Sequence, residues 1–155
     1  MKNINDPKQL LVSAIESGTV IDHIPASTLF KVIKILGLDR IKTQITFGTN
    51  LDSKTHGKKA IIKIADKFFE DDDINRIALV APNAKLNIIR DYKVVEKRVV
   101  EVPDTITAIA KCMNPKCITN FEKVTTRFRV VSKKPVALKC HYCEKITDQE
   151  RLEII

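Results

Sequence analysis

The sequence has no tryptophan, only four glycines and only six prolines among its 155 residues. So few glycines and prolines argue against long disordered or low-complexity tracts, and we expect the chain to be ordered nearly throughout. Aromatic residues make up 5% of the chain, whereas the hydrophobic fraction is 44%. The core must therefore be built mainly from isoleucine, valine and leucine, which favour strands, and this predicts a sheet-rich fold.

Two kinds of apolar segment are also missing. The first residues lack the basic, apolar and small-residue succession of a secretory leader, and no apolar stretch approaches the roughly 18 residues that span a bilayer. We expect a cytoplasmic protein that does not contact a membrane. The 27 basic residues outnumber the 19 acidic ones, and the formal charge of +8 suggests polyanionic partners, meaning nucleic acid, nucleotides or an acidic protein surface.

Cysteine is absent from the first 111 residues, and all four cysteines lie in the last third of the chain. This asymmetry indicates two modules. The stretch VVEVPDTI (99–106) carries Pro103 and Asp104 between two apolar runs, and proline is tolerated in a linker but not in a central strand. We therefore predict one domain at residues 1–101 and a second at 102–155.

The first module has the pattern of an α+β fold. A helix is predicted over residues 25–38, where apolar residues recur at helical spacing between Pro25 and Gly37. A second helix begins at the acidic run EDDD (70–73), whose carboxylates can cap the first amides and favour the positive end of the helix dipole. Strand-type runs occupy residues 19–24, 44–50, 58–66 and, as one or two strands, 84–100. The order β-α-β-β-α-β predicts a ferredoxin-like sandwich of one sheet and two helices.

The second module surrounds the cysteines with predicted strands, at ITAIAKC, KVTTRFRVV, VALKC and ERLEII. Its four cysteines form a Cys-x4-Cys pair and a Cys-x2-Cys pair separated by 22 residues: Cys112, Cys117, Cys140 and Cys143. Two such pairs on tight turns can bring four thiolates to the corners of a tetrahedron, the closed coordination of structural zinc. Free thiols or two disulfides are the alternative. In a cytoplasmic chain we predict one structural Zn²⁺ in a small antiparallel zinc-binding domain, with no position left for a catalytic water.

The net charge of the second module bears on nucleic-acid binding. Four thiolates and one divalent cation together add about −2. From residue 101 onward the chain has ten basic and seven acidic residues, so the metallated module would carry only about +1. A zinc ribbon that binds nucleic acid should be more positive, and the predicted strands lack the stacking aromatics of an RNA-binding sheet. A zinc-ribbon nucleic-acid-binding protein is kept as the alternative function.

Three lysines are candidates for a phosphate site. Alternate residues of a strand share a face, so Lys59 and Lys63 project to the same side of the predicted strand 58–66. Lys97 would join them if its strand pairs nearby, and three converging ammonium groups can bind phosphate; a solvated lysine face is the alternative. The chain has neither GxxxxGK[ST] nor GxGxxG, so no Gly-rich loop of either common type would hold a nucleotide.

An acid and an imidazole, Asp22 and His23, lie side by side at the end of the first predicted strand. Neighbours in an extended strand project to opposite faces, so we expect no carboxylate–imidazole dyad. A hydrogen-bonded histidine at a strand end is the structural alternative to a ligand contact. With the cysteines committed to metal and no serine in a nucleophile-elbow context, we predict a chain without catalytic residues.

Several multi-residue stretches resemble the regulatory chain of aspartate carbamoyltransferase in order and spacing. They occur in both modules and run over nearly the whole chain. They are GTVIDHIPA (18–26), GKKxxIKI (57–64), ALVAPNAxxNxI (78–89), YxVVxK (92–97) and CxxxxC…LKCxYCEK (112–145).

The resemblance implies a non-catalytic regulatory subunit. Its N-terminal allosteric domain would bind CTP and ATP and so modulate the first committed step of pyrimidine biosynthesis. Its zinc domain would dock on catalytic chains, and two regulatory chains would pair through their allosteric domains.

The same resemblance implies roles for individual residues. Lys97, His23 and Lys59 would meet the phosphates, and Asp22 and Lys63 the ribose and base region. Further nucleotide contacts would come from backbone around Val12, Ala14, Ile15, Tyr92 and Val94, and from Asn87 and Ile89 in the pocket lining. Contacts with the catalytic chain would come from Asn114, Tyr142, Glu144 and Lys145.

Overall fold

The computed structural model describes residues 14–54 and 57–155. The chain divides into two compact units, Met1–Val100 and Glu101–Ile155. Each unit contains its own antiparallel sheet, and the few helices lie in the first, so the predicted α+β class is confirmed. No helix in the described part of the chain is long and apolar enough to cross a membrane.

The described part of the first unit contains five strands and two α-helices. They are β1 (Gly18–Pro25), α1 (Leu29–Leu36), β2 (Ile45–Ser53), β3 (Gly57–Ala65), α2 (Asp71–Asn75), β4 (Lys85–Arg90) and β5 (Lys93–Val99). The strands pair antiparallel in the order β2-β3-β1-β4-β5. The first four strands and both helices form the predicted β-α-β-β-α-β sandwich. The fifth strand extends the sheet through a two-residue turn whose residues, Asp91 and Tyr92, both have positive φ, as such hairpin turns require.

Helix α1 is shorter than its apolar pattern indicates. A 3₁₀ turn, Ala26–Thr28, precedes it. The helix ends at Gly37, whose left-handed backbone (φ 64°) lets its N–H donate to the carbonyls of Ile33 and Lys34. The predicted role of this glycine as the helix terminator is therefore confirmed.

Helix α2 contains only five residues and continues as a 3₁₀ turn over Arg76–Leu79. The predicted side-chain cap is wrong, because Glu70 at the N-cap makes no capping hydrogen bond. The carboxylates of the run bind guanidinium groups instead. Asp71 accepts from Arg98 at 2.7 Å, and Asp73 accepts from Arg76 at 2.6 Å.

The core of the first unit lies between the sheet and the helices. Alternation along β3 is clear, since Ala60, Ile62 and Ile64 are fully buried while Lys59 and Lys63 stay half-exposed. Apolar residues of the helical segments are also buried: Leu29, Val32, Ile74 and Ile77. We call the other surface of the sheet, which carries Lys59 and Lys63, the lysine face.

The second unit is a four-stranded antiparallel sheet. Its strands are β6 (Thr105–Thr107), β7 (Arg127–Lys133), β8 (Val136–Cys140) and β9 (Ile146–Asp148), paired in that order. The predicted strand at ERLEII is wrong: Gln149–Arg151 forms a 3₁₀ turn capped by the Asp148 side chain, and only Ile154 makes a bridge, to Ala110. The cap draws the chain out of the sheet immediately after β9.

Candidate metal centre and anion site

The four cysteine sulfurs form one compact cluster in the second unit. All four Sγ atoms lie within 4.8 Å of one another. The separation is 3.6 Å between Cys112 and Cys143 and 3.7 Å between Cys117 and Cys140, and no disulfide joins them. Metal–sulfur bonds of about 2.3 Å in a tetrahedron place sulfurs about 3.8 Å apart, so the cluster matches the size of a four-thiolate zinc site.

Local backbone and side-chain hydrogen bonds hold the first pair of cysteines. The Cys117 N–H donates to the Asn114 carbonyl at 3.0 Å, which closes the Cys-x4-Cys turn. The Asn120 side-chain amide donates to the carbonyls of Cys112 and Asn114 at 3.0 and 2.8 Å. Thr119 donates its hydroxyl to Cys117 Sγ at 3.2 Å. The sequence did not predict the roles of Asn120 and Thr119. Spacing rules identify residues that bind a metal ion, but not residues that hydrogen-bond to those ligands.

The second pair lies where β8 ends. Glu144 adopts a left-handed conformation (φ 64°), and its N–H donates to the Cys140 carbonyl at 3.0 Å. The Cys140 N–H in turn donates to the Lys145 carbonyl at 2.9 Å. This tight turn points both thiols of the Cys-x2-Cys motif toward the first pair.

The environments of the four thiols differ in how they affect ionisation. Burial raises the pKa of the Cys112 and Cys140 thiols. Burial acts in the same direction on Cys143, but hydrogen bonds, chiefly with the Asn114 side chain, lower the pKa of that thiol to about 7. A divalent cation stabilises thiolates directly, so the four cysteines are suited to hold a metal ion of the kind that prefers sulfur.

The first unit contains a cavity of about 400 Å³ at one end of the lysine face. Its lining combines one carboxylate, one imidazole, three cationic side chains, an amide and a valine: Asp22, His23, Lys85, Asn87, Lys97, Arg98 and Val99. Four of the predicted nucleotide-contact residues therefore line a single cavity. Lys85, Arg98 and Val99 are additional.

Strand register explains why distant residues converge on this cavity. Val20 of β1 lies opposite Lys63 of β3 on one side and opposite Asn87 of β4 on the other, and Asn87 in turn lies opposite Lys97 of β5. Directly opposed residues project to the same face. The predicted convergence of Lys63 and Lys97 on one face is thus a consequence of the pairing order.

The structure contradicts the expectation that Asp22 and His23 face opposite sides. A bulge interrupts the pairing of β1 with β3 between Ile21 and Ile24, and His23 has φ 62°. The His23 N–H donates to Asp22 Oδ1 at 2.7 Å, and His23 Nδ1 lies 3.7 Å from Asp22 Oδ2. Strand alternation fails here because the bulge inserts a residue in left-handed conformation and turns both side chains into the same cavity.

The cations around the cavity differ in what they already bind. Lys59 donates to both carboxylate oxygens of Asp22, at 3.0 and 3.3 Å. Arg98 is paired with Asp71 and Glu96 at 2.7 and 3.0 Å. Partial burial lowers the pKa of Lys63, and Asp22 opposes that shift. His23 Nδ1 is buried and has no hydrogen-bond partner within the described residues.

The remaining predicted nucleotide contacts are spread around the sheet. Ile89 is buried on the lysine face, and Tyr92 and Val94 are 68% and 47% exposed beside the β4–β5 turn. Ala14 is exposed and Ile15 half-buried, and the segment after them meets that turn, because the Tyr92 N–H donates to the Glu16 carbonyl at 2.9 Å. Val12 lies outside the described residues.

The predicted catalytic-chain contacts all lie at the cysteine turns. Tyr142, Glu144 and Lys145 are exposed, and the Tyr142 ring packs edge-on against His141 at 5.0 Å between centroids. Asn114 is half-buried, and its Oδ1 accepts from the Lys116 N–H at 3.1 Å. Its side chain therefore holds the metal turn, a role its sequence context did not indicate.

Comparison with known proteins gives the family of both units. The family profile described as aspartate carbamoyltransferase regulatory chain, allosteric domain, matches residues 10–101, and the profile described as the metal binding domain of the same chain matches residues 104–153. The aspartate carbamoyltransferase regulatory chain of Bacteroides fragilis is 58% identical over 153 residues, which is 98% of this chain and 100% of the relative. That of Pyrococcus horikoshii is 53% identical over 146 residues, or 93% and 96%. The chain therefore belongs to the aspartate carbamoyltransferase regulatory chains, the non-catalytic subunits of that enzyme.

Proposed function

We propose that the first unit binds nucleoside triphosphates, CTP and ATP, and that this binding modulates the aspartate carbamoyltransferase reaction, the first committed step of pyrimidine biosynthesis. The observation that carries the proposal is the cavity in which His23 and Lys97 stand beside Asp22 and Asn87. The family profile for this part of the chain is that of an allosteric domain. An allosteric domain needs an effector site, and the cationic lining of this cavity suits an anionic effector.

The cavity separates charges in a way that suits a nucleotide. His23 and Lys97 can donate hydrogen bonds to phosphate oxygens. Such charge-assisted hydrogen bonds are stronger than neutral ones, so a multiply charged anion suits these two side chains. Asp22 accepts hydrogen bonds and suits a ribose hydroxyl or a base amine, and Lys59 holds its carboxylate in place. Val94 and Tyr92, both exposed, supply apolar surface for the base on the neighbouring hairpin.

The lysine face does not favour the nucleic-acid alternative. Single-stranded RNA is held on a sheet by exposed aromatic rings on which bases stack. The aromatic residue in the described strands of the first unit, Phe47, lies opposite Ile62 and so projects to the helix side of the sheet. There it packs edge-on against Phe30 of α1, at 6.2 Å between centroids.

We propose that the ion held by the four cysteines is Zn²⁺ and that it is structural. When bound, the ion cross-links the Cys-x4-Cys turn to the end of β8. All four ligands come from the chain, so no position is left for a substrate. The support is the sulfur spacing together with a metal-binding family profile over residues 104–153.

We propose that the zinc unit docks on a catalytic chain through the surface beside its cysteine turns. Large apolar side chains are exposed there, namely Ile118, Phe121 and Tyr142, which are 44%, 69% and 43% accessible. Exposed apolar side chains close together are typical of protein–protein contacts. Glu144 and Lys145 on the adjacent turn would supply charged groups at the rim.

We propose that two regulatory chains pair through their first units. Strand β2 is an edge of the five-stranded sheet, so its outer backbone groups are available to a second chain. Phe30 and Phe47 lie beside this edge and are 68% and 46% exposed. An exposed edge with an aromatic pair next to it suits a symmetric contact.

Effector coupling can be no larger than the difference in nucleotide affinity between two states of the assembled enzyme. It must also be reciprocal, so ligands at the active site must change nucleotide affinity by the same factor.

The test mixes the purified, zinc-loaded chain with the catalytic trimer of the same organism. CTP affinity is then measured by calorimetry with and without a bisubstrate analogue. A shift in affinity and a CTP-dependent change in the rate support the proposal. CTP binding with identical affinity in both states would contradict the regulatory coupling, and a salt-dependent shift with RNA without any response to CTP would revive the nucleic-acid alternative.

A further inference from the structure

The cavity in the first unit contains a cation that neither the resemblance nor the family description assigns. Lys85, the first residue of β4, lines the cavity together with His23 and Lys97. Its side chain is exposed, and in the described part of the chain it forms no ion pair with a carboxylate. A lysine with three unused donors at the rim of an anion cavity is a candidate ligand group.

The lack of a partner for Lys85 among the described residues has a structural cause. Lys85 lies directly opposite Asp22 in the register of β1 and β4, where opposite charges ordinarily pair. Asp22 is instead bound through both oxygens by Lys59, and one of those oxygens also accepts the His23 N–H. The bulge in β1 therefore commits the carboxylate to the β3 side and leaves Lys85 to the cavity.

Position along the strands separates Lys85 from Lys97. Asn87 of β4 lies opposite Lys97 of β5. Lys85, two residues before Asn87, lies opposite Val99, two residues after Lys97. Diagonal neighbours of this kind are about 7–8 Å apart. Lysines at two such strand positions can bind different phosphate groups of one nucleotide, whereas a single phosphate group held at Lys97 would leave Lys85 without a contact.

We infer that Lys85 is a specificity-determining residue that recognises the length of the phosphate chain, contacting the terminal phosphates of a triphosphate but not a monophosphate. This inference rests on the proposed nucleotide function. The base would lie beside Tyr92 and Val94 at the β4–β5 turn, and Lys85, at the opposite end of β4, lies farther from that turn than Lys97 does.

The test is calorimetric titration of the full chain with CTP, CDP and CMP. Lys85→Met keeps the aliphatic stem and removes the charge, and it should weaken CTP about tenfold and CMP less than twofold. Lys85→Arg should stay within about threefold of the unsubstituted chain for CTP, since it restores the charge. Lys31→Met, which removes one exposed charge from α1, is the matched control and should leave all three affinities unchanged.

The outcomes separate this inference from the proposal beneath it. If the unsubstituted chain binds no CTP, the proposed function fails and this inference fails with it. If CTP binds and Lys85→Met changes nothing, or weakens CTP and CMP equally, only the length-recognising role of Lys85 is overturned. Because Lys85 is exposed, unchanged circular dichroism and metal content of Lys85→Met would show that lost affinity does not come from unfolding.

Discussion

The Asp22-His23 pair shows how one residue conformation changes the chemistry of a site. A regular strand would separate the two side chains, but the positive φ of His23 places both in one cavity. His23 keeps a buried Nδ1 without a hydrogen-bond partner among the described residues, which is costly for a polar atom unless a ligand satisfies it. The strain and the unsatisfied atom both lie at the site where we propose phosphate binding, which fits the tendency of strained residues to occur at functional sites.

His23 and Asp22 should differ in which part of a nucleotide they affect. His23→Ala should weaken CTP about tenfold and cytidine less than threefold, because the imidazole meets phosphate. Asp22→Ala should weaken both, because it removes an acceptor for the nucleoside and releases Lys59. Titration calorimetry of each variant with CTP and cytidine checks this. Equal affinities in the unsubstituted chain and both variants would instead show that Asp22 and His23 have only a structural role at the end of β1.

Lys63 should lower the stability of the unliganded chain while strengthening nucleotide binding. Partial burial lowers its pKa, so its charged form costs stability in the unliganded chain. Lys63→Met should therefore raise the unfolding temperature or leave it unchanged while weakening CTP. The stability difference from the unsubstituted chain should be largest below the lowered pKa of Lys63 and vanish as pH rises toward the unfolded value of about 10.4. Thermal melts between pH 7 and about 10.5 check the sign, and a lower unfolding temperature for Lys63→Met at pH 7 would contradict it.

At the scale of elements, the sequence pattern predicted whether a segment is a helix or a strand better than it predicted where that segment begins and ends. The strands of the first unit are where alternation and apolar runs place them, and the pattern is clearest in β1, β3 and β4, which carry the buried residues of the sheet. Helices α1 and α2 are shorter than predicted, because both give way to tighter 3₁₀ turns. In the second unit β9 was missed and ERLEII was assigned wrongly, because three-residue strands carry no periodicity and the turn after Asp148 depends on a side-chain cap.

Strand β1 should depend on the glycine at its start. Gly18 has φ 138°, and a Cβ there would lie 2.1 Å from the Ile64 carbonyl oxygen of the paired strand. Gly18→Ala should therefore destabilise the first unit by about 2 kcal/mol or more, seen as a lower unfolding temperature by circular dichroism. Gly57→Ala is the matched control, since it also has positive φ but no atom within 4 Å, and it should cost only about 1–2 kcal/mol. Equal losses in the two variants would show that backbone strain alone, and not the contact with β3, makes Gly18 necessary.

At the scale of the whole molecule, the two units use different means of stabilisation. The first unit buries a sizeable apolar core between sheet and helices. The second has only 55 residues and short strands, and three of its four cysteines lie outside the sheet. A domain this small buries little apolar surface and is only marginally stable alone, so we expect the ion to carry much of the stability of the second unit.

Metal removal should therefore unfold one unit and spare the other. Structural zinc contributes on the order of 10 kcal/mol, which is as much as the whole stability of a small domain. Chelation should collapse the amide NMR signals of Arg127–Lys133 and Val136–Cys140, preserve those of Gly18–Pro25, and abolish assembly with the catalytic trimer while CTP binding persists. Adding Zn²⁺ back is the control and should restore assembly. Retention of the β7 and β8 signals in the metal-free chain would rule out a structural role for the ion.

The sequence by itself determined the cysteine cluster, the order of elements in the first unit and the lysine face. Two cysteines a few residues apart are brought together by one local turn, and alternation along a strand gives the face of each side chain from its position in the sequence. Neither prediction depends on residues that are distant in the chain. Only the tertiary structure decided which residues share the anion cavity. The bulge at His23, the commitment of Asp22 to Lys59 and the exposure of Lys85 all depend on how β1 pairs with β3 and β4, and such non-local pairing is set by the packing of the whole sheet.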